Sequence, residues 1–175
     1  ATVSDKAREN SITFQAPTKT FNIAGIISSY AIIPNADIRK KFYGWINTNE
    51  LDEANIFAPI VTIAAFTKGE EWRKSMLTYI EDNVRFVEEY CQKNIPQIHP
   101  LRPQASFLVW LNCRELNLDH HDLLDLFIDK AHLALNDGEM FGQGGEGFMR
   151  INIATPRSVI KQALDQLATA VNNLQ

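Results

Sequence analysis

The run Gln15-Ala16-Pro17-Thr18-Lys19-Thr20-Phe21-Asn22-Ile23-Ala24-Gly25 sets one lysine between a short alternating segment, residues 11–15, and an apolar stretch, residues 26–33. Alternation and a continuous apolar run both predict strands, so Lys19 is expected on a tight turn between two of them. Two uses of such a lysine fit this placement. One is an ordinary solvated surface charge. The other is an amine held in a fixed, partly desolvated position, where it can react with a carbonyl as the neutral base.

Outward from that turn, the 26–33 run reads as a strand buried on both faces of an α/β sheet. Asn35 suits the cap of a helix over residues 36–46, with Ile38 and Phe42 on one face. A second helix is predicted over 55–68, begun or kinked near Pro59 and stopped by Gly69. The longest follows over 70–93, where Trp72, Met76, Ile80, Val84, Val87 and Cys91 repeat at spacings of four and three. Prolines 96, 100 and 103 mark a linker. Beyond it a small α+β unit is expected. It comprises a strand over 106–113, a helix capped by Asp119, a short strand near Leu133, and a turn at Asn136-Asp137-Gly138. A strand over 148–154 and a last helix, with Thr155 as N-cap and Pro156 first in the helix, complete it.

The 175 residues are 45% hydrophobic, enough for a sizeable core, and their net charge of −4 with scattered basic residues argues against nucleic-acid binding. No apolar stretch approaches the roughly 20 residues that span a bilayer. Cys91 and Cys113 are far apart and outside any C-x-x-C pair, so neither a disulfide framework nor a zinc site is expected. A reducing, cytoplasmic setting fits. There is no signal-peptide pattern, and a start at Ala1 almost directly before a strand reads as the continuation of a longer protein.

The second stretch with chemical content is Gly142-Gln143-Gly144-Gly145-Glu146-Gly147-Phe148-Met149-Arg150-Ile151-Asn152-Ile153-Ala154-Thr155-Pro156-Arg157. Arg150 lies inside an apolar strand, where an unpaired guanidinium is costly and cannot deprotonate. Its partner is either a carboxylate of this chain or the carboxylate of a ligand held bidentately. The glycine loop lacks the Gly-Lys-Ser/Thr ending of a nucleotide phosphate cradle, and flexibility beside a site is the expected use. Asp119-His120-His121-Asp122 reads as a helix cap with solvated histidines, not as a metal site. Trp110 is expected in the core, while Tyr30 fits either core or a polar handle.

The Lys19 segment resembles the cofactor-lysine segment of fold-type-I pyridoxal 5'-phosphate enzymes. It is most similar to the cystathionine β-lyase-like C–S lyases of the class I/II aminotransferase family. The 147–157 run resembles that branch's carboxylate-binding strand, and Gly69-Glu70-Glu71-Trp72 falls in the usual order between them. The resemblance implies an α/β fold: the end of the large domain's mixed sheet with its helices over residues 1–93, then a small α+β C-terminal domain over 94–175. It implies the C-terminal half of an enzyme whose upstream half holds most of the cofactor pocket. It further implies that Lys19 bonds the pyridoxal phosphate aldehyde and acts as base, that Thr18 contacts the cofactor phosphate, and that Arg150 holds the substrate α-carboxylate. A C–S β-lyase is implied, with an aminotransferase as alternative; the isolated 175 residues are expected to be an inactive folded module. A homodimer acting on an amino acid is implied as well. Ala16 and Ile27 stand where aminotransferases often carry serine and arginine for the phosphate.

Overall fold

The structure, a computed structural model, describes residues 2–174 apart from Asp52 and Ala54. The chain divides into two compact units, one ending at Ser75 and one beginning at Met76.

In the first unit a short helix α1 (Asp5–Glu9), capped by Ser4, precedes β1 (Thr13–Gln15). β1 pairs antiparallel with β2 (Tyr30–Ile32) in the register Thr13↔Ile32, Phe14↔Ala31. The expected strand over 26–33 is therefore much shorter, because residues 24–26 wind into a tight 3-10 turn. Nor is β2 buried on both faces: Ile32 is 50% exposed, since the sheet supplies only one neighbouring strand. Helix α2 (Ala36–Thr48) starts as expected, with Asn35 Oδ1 accepting from the backbone N–H groups of Asp37 and Ile38. Helix α3 (Ala58–Lys68) carries Pro59 in its first turn and ends at Gly69. Among the described residues of this unit only Pro17, Ile33 and Ala58 are buried. Helix α3 is apolar on nearly all sides, as fully buried helices are, yet Ile60, Ile63 and Phe66 are 65%, 63% and 53% exposed. A surface of that kind is built to be covered.

Helix α4 (Glu70–Asn94) leads into the second unit, whose sheet has the order β3-β4-β6-β5, every pair antiparallel. Its strands are β3 (His99–Leu101), β4 (Leu108–Asn112), β5 (Asn136–Asp137) and β6 (Phe148–Asn152). The proline-marked linker is thus in part a strand. Pro100 is tolerated because β3 is an edge, where a missing N–H on the open side costs nothing. The strand expected near Leu133 forms instead at Asn136 and Asp137, where the residue types predict a turn. Helix α5 (His120–Asp125), capped by Asp119, continues into a wider π-type turn through Lys130. Helix α6 (Arg157–Asn172) begins one residue later than expected, with Pro156 at the cap.

The core of this unit is one cluster. Val84, Val87 and Cys91 of α4 meet Val109 and Leu111 of β4, Met149 and Ile151 of β6, and Ile160, Leu164 and Leu167 of α6. Odd-numbered residues of β4 and β6 enter that core. Period two therefore sends Trp110, Phe148 and Arg150 to the opposite face. At the corner after β6, the fully buried Asn83 donates to the carbonyls of Ile153 (3.0 Å) and Thr155 (3.1 Å) and accepts from Arg157 Nε (2.8 Å).

Candidate active site

Residues 17–23 close on themselves. The N–H of Phe21 bonds to the carbonyl of Pro17, that of Ile23 to Thr18 at 2.9 Å, and that of Asn22 to Lys19 at 3.4 Å, with Asn22 in the left-handed region at φ +53°. This is the Schellman ending of a helical turn, and Asn is among the few residues that take that φ at low cost. Lys19 is accordingly fixed at the backbone, but on a single helical turn within a 14-residue connection between β1 and β2, not on a tight hairpin turn. The turn is anchored by Phe21, whose ring meets Phe66 edge-on at 5.5 Å and Trp72 at 6.3 Å. Gly69 makes room for it: a Cβ there would lie 2.8 Å from the Phe21 ring. The Lys19 side chain is exposed, Thr18 is half-buried, and no hydrogen bond or ion pair of the Lys19 amine is found among the described residues. Downstream, Ile27 holds φ +51° with 82% of its surface exposed. A left-handed backbone costs an L-residue about 1–2 kcal/mol, and exposure gives this β-branched side chain no packing in return.

Arg150 sits at the centre of the second unit's sheet. The pairings Leu101↔Trp110, Trp110↔Arg150 and Arg150↔Asn136 line up one row across all four strands. Its Nη2 donates to Asn136 Oδ1 at 2.9 Å, and its guanidinium lies 4.3 Å from the Phe141 ring centroid and 5.9 Å from that of Trp110. Among the described residues no carboxylate pairs with it, and its buried Nε has no acceptor. A buried guanidinium donor without an acceptor is suited to receive an anion.

The glycine-rich loop is pinned, contrary to the flexibility expected of it. Arg114 donates Nε to the Glu146 carbonyl (3.0 Å) and Nη2 to the Gly144 carbonyl (3.3 Å), while stacking 4.6 Å from the Phe148 ring. Gly138 and Gly145 pass so closely that a Cβ on either would strike the other's carbonyl. Of the remaining candidates, His121 is solvated, but His120 faces Glu139 (Nδ1, 3.0 Å) and Asp137 (Nε2, 3.5 Å). Trp110 is half-buried on the face away from the core, not within it. Tyr30 is 38% exposed, its ring against Phe66. Burial pushes the thiols of Cys91 and Cys113 up to about 12, which leaves them poor nucleophiles. The aromatic surroundings of Arg150 were the feature sequence reading missed. The two-residue periodicity of β4 and β6 was the signal that could have placed Trp110 beside it.

No family model matches the chain. Cystathionine beta-lyase PatB of Bacillus subtilis (strain 168) is 35% identical over 172 residues, 98% of this chain and 44% of PatB. Protein MalY of Escherichia coli (strain K12) is 28% identical over 169 residues, 96% of this chain and 43% of MalY. The crystal structure of cystalysin from Treponema denticola, which contains a pyridoxal 5'-phosphate cofactor, matches with a TM-score of 0.87 at 33% identity. That match covers 99% of this chain and 44% of cystalysin. The fold is therefore part of the pyridoxal-phosphate-dependent transferase fold, as the two sequence motifs implied. The chain's homologues include cystathionine β-lyases, and it spans less than half of their length.

Proposed function

We propose that this chain is the C-terminal half of a pyridoxal 5'-phosphate-dependent C–S β-lyase that cleaves cystathionine or similar cysteine S-conjugates to thiol, pyruvate and ammonia. The observation that carries this reading is Arg150, a guanidinium held in mid-sheet by Asn136 and Phe141, with a buried Nε donor and no carboxylate partner among the described residues. Residues 1–93 then form the end of the large domain and residues 94–175 the small domain.

The residues present fit the cofactor at its aldehyde end. Lys19 is a primary amine on a rigid turn with no competing partner among the described residues, and Thr18 offers a hydroxyl one residue before it. Ala16 and Ile27 bring no group for the phosphate, so its anchoring falls mainly to the upstream half. When bound, pyridoxal phosphate supplies an electron sink for the bond broken at the substrate Cα. Lys19 Nζ would hold the cofactor and, once the substrate amine has displaced it, would be free to take the proton from Cα. Arg150 donates two N–H bonds to the α-carboxylate and so fixes which Cα bond faces the base. The exposed apolar face of the first unit packs in this reading against the rest of the large domain. A cytoplasmic homodimer acting on an amino acid follows from the same resemblance.

An aminotransferase of the same fold is the second reading, since an aspartate aminotransferase from Pyrococcus horikoshii is 25% identical over 169 residues. The product separates the two. Full-length protein incubated with cystathionine or S-benzylcysteine is expected to release thiol and pyruvate without an amino acceptor. Formation of a keto acid only when an acceptor is added would overturn the lyase reading.

A further inference from the structure

The sheet face that carries Arg150 also carries a cavity of about 280 Å³, lined by Leu101, Trp110, Phe141, Phe148 and loop residues 142–145. Arg150 is not among its walls. The two rings that flank its guanidinium, Phe141 and Trp110, are, and they meet each other edge-on at 5.2 Å. Trp110 is the direct cross-strand neighbour of Arg150, and Leu101 is the neighbour of Trp110. Trp110 and Phe141 thus belong both to the surroundings of the guanidinium and to the wall of the cavity, which adjoins the position a carboxylate on Arg150 would take. No side chain on its wall is charged. The loop that forms one side of it is held by Arg114 and by the close passage of Gly138 and Gly145, so that wall is set in place. Its size sits near the lower end of cavities that hold whole ligands, about 300 Å³. It suits one substituent.

We propose that this cavity is the subsite for an apolar S-substituent of the amino acid whose α-carboxylate Arg150 holds. The preferred substrates are then cysteine S-conjugates bearing an alkyl or aryl group. Cystathionine would have to bring a charged amino-acid head into a wall that offers it no countercharge, and burying an uncompensated charge is costly. The substrate assignment rests on the lyase reading above; the pocket itself does not.

Two measurements on the full-length protein test this. In calorimetric titrations, 3-phenylpropionate is expected to bind at least tenfold more tightly than propionate. Leu101→Glu should bring that ratio close to one, and Arg150→Gln should weaken both ligands. In turnover, kcat/KM for S-benzylcysteine relative to cystathionine should exceed ten and fall at least tenfold in Leu101→Glu; apolar contacts of this kind discriminate by about 10–200-fold. Equal binding of the two carboxylates, or ratios indifferent to Leu101→Glu, would overturn the subsite. Thiol release absent from every S-conjugate, with the carboxylate titrations behaving as expected, would sink the lyase reading and leave the subsite standing.

Discussion

Replacing Asn83 with leucine removes the one polar side chain among the fully buried groups of the second unit's described residues. It serves three partners at once: the carbonyls of Ile153 and Thr155 and the Nε of Arg157. Leucine keeps the branched skeleton but ends in larger methyl groups, so overpacking of the fully buried site adds to the cost of the unmet hydrogen bonds. Each neutral bond is worth about 1 kcal/mol and the one to the guanidinium about 1.5–3. Partial rescue of the Arg157 guanidinium by water lowers the sum. A loss of about 3–4 kcal/mol is expected. For a unit of this size that corresponds to a fall in melting temperature of about 12–30 °C. The assay is urea and thermal unfolding of residues 76–175, which hold a closed core of their own, followed by near-ultraviolet circular dichroism of Trp110. The corner that Asn83 fixes directly follows β6, so the same variant should blunt Arg150-dependent carboxylate binding. A loss below about 1 kcal/mol with unchanged slope would refute the reasoning and make the three bonds incidental.

Arg150→Gln in the full-length enzyme is expected to raise KM for the amino acid by about 30-fold or more, from roughly 2–4 kcal/mol of charge-assisted binding; steady-state kinetics read this, and an unchanged KM makes Arg150 structural. Gly69→Ala puts a methyl against the Ala65 carbonyl and the Phe21 ring. Overpacking of about 1–3 kcal/mol should loosen the Lys19 turn and weaken pyridoxal phosphate binding in a fluorescence titration, whereas Gly44→Ala, which meets open space, should not. Alkaline pH is expected to destabilise the second unit. Burial and the Asp165 carboxylate, 2.7 Å away, push Tyr90 up to about 12, and burial does the same to both thiols. Folded values above the unfolded ones stabilise the unit fully below about pH 9, and that contribution is lost as pH rises toward 12. Unfolding free energies measured between pH 8 and 12 should decline, less steeply in Tyr90→Phe.

Much of this arrangement was legible in the residues. The helix over 70–93, the caps at Asn35 and Asp119, and the strand around Arg150 follow from period, cap chemistry and burial cost, all local in sequence. The misplacements share a different cause. The 26–33 run reads as a doubly buried strand because its apolar residues are meant for neighbours, yet this chain supplies only β1. The strand at Asn136 and Asp137 is dictated by pairing with β6, which overrides two turn-forming residues. Pro100 marks a linker by propensity and an edge strand by tertiary context. For the site, the residue types of Lys19 and Arg150 were readable. Around Arg150, period two in β4 and β6 puts Trp110 and the guanidinium on the same kind of face, but their pairing as direct neighbours and the approach of Phe141 depend on cross-strand register and a loop, which no local pattern reveals.

In the proposed function, Lys19 is the residue that holds the cofactor. Pyridoxal phosphate added to the full-length protein should give a visible absorbance band that sodium borohydride fixes covalently, with the label found by mass spectrometry on the peptide containing Lys19. Lys19→Ala should abolish both while the far-ultraviolet circular dichroism stays unchanged. A label on another lysine, or a band that survives Lys19→Ala, would mean that Lys19 does not hold the cofactor.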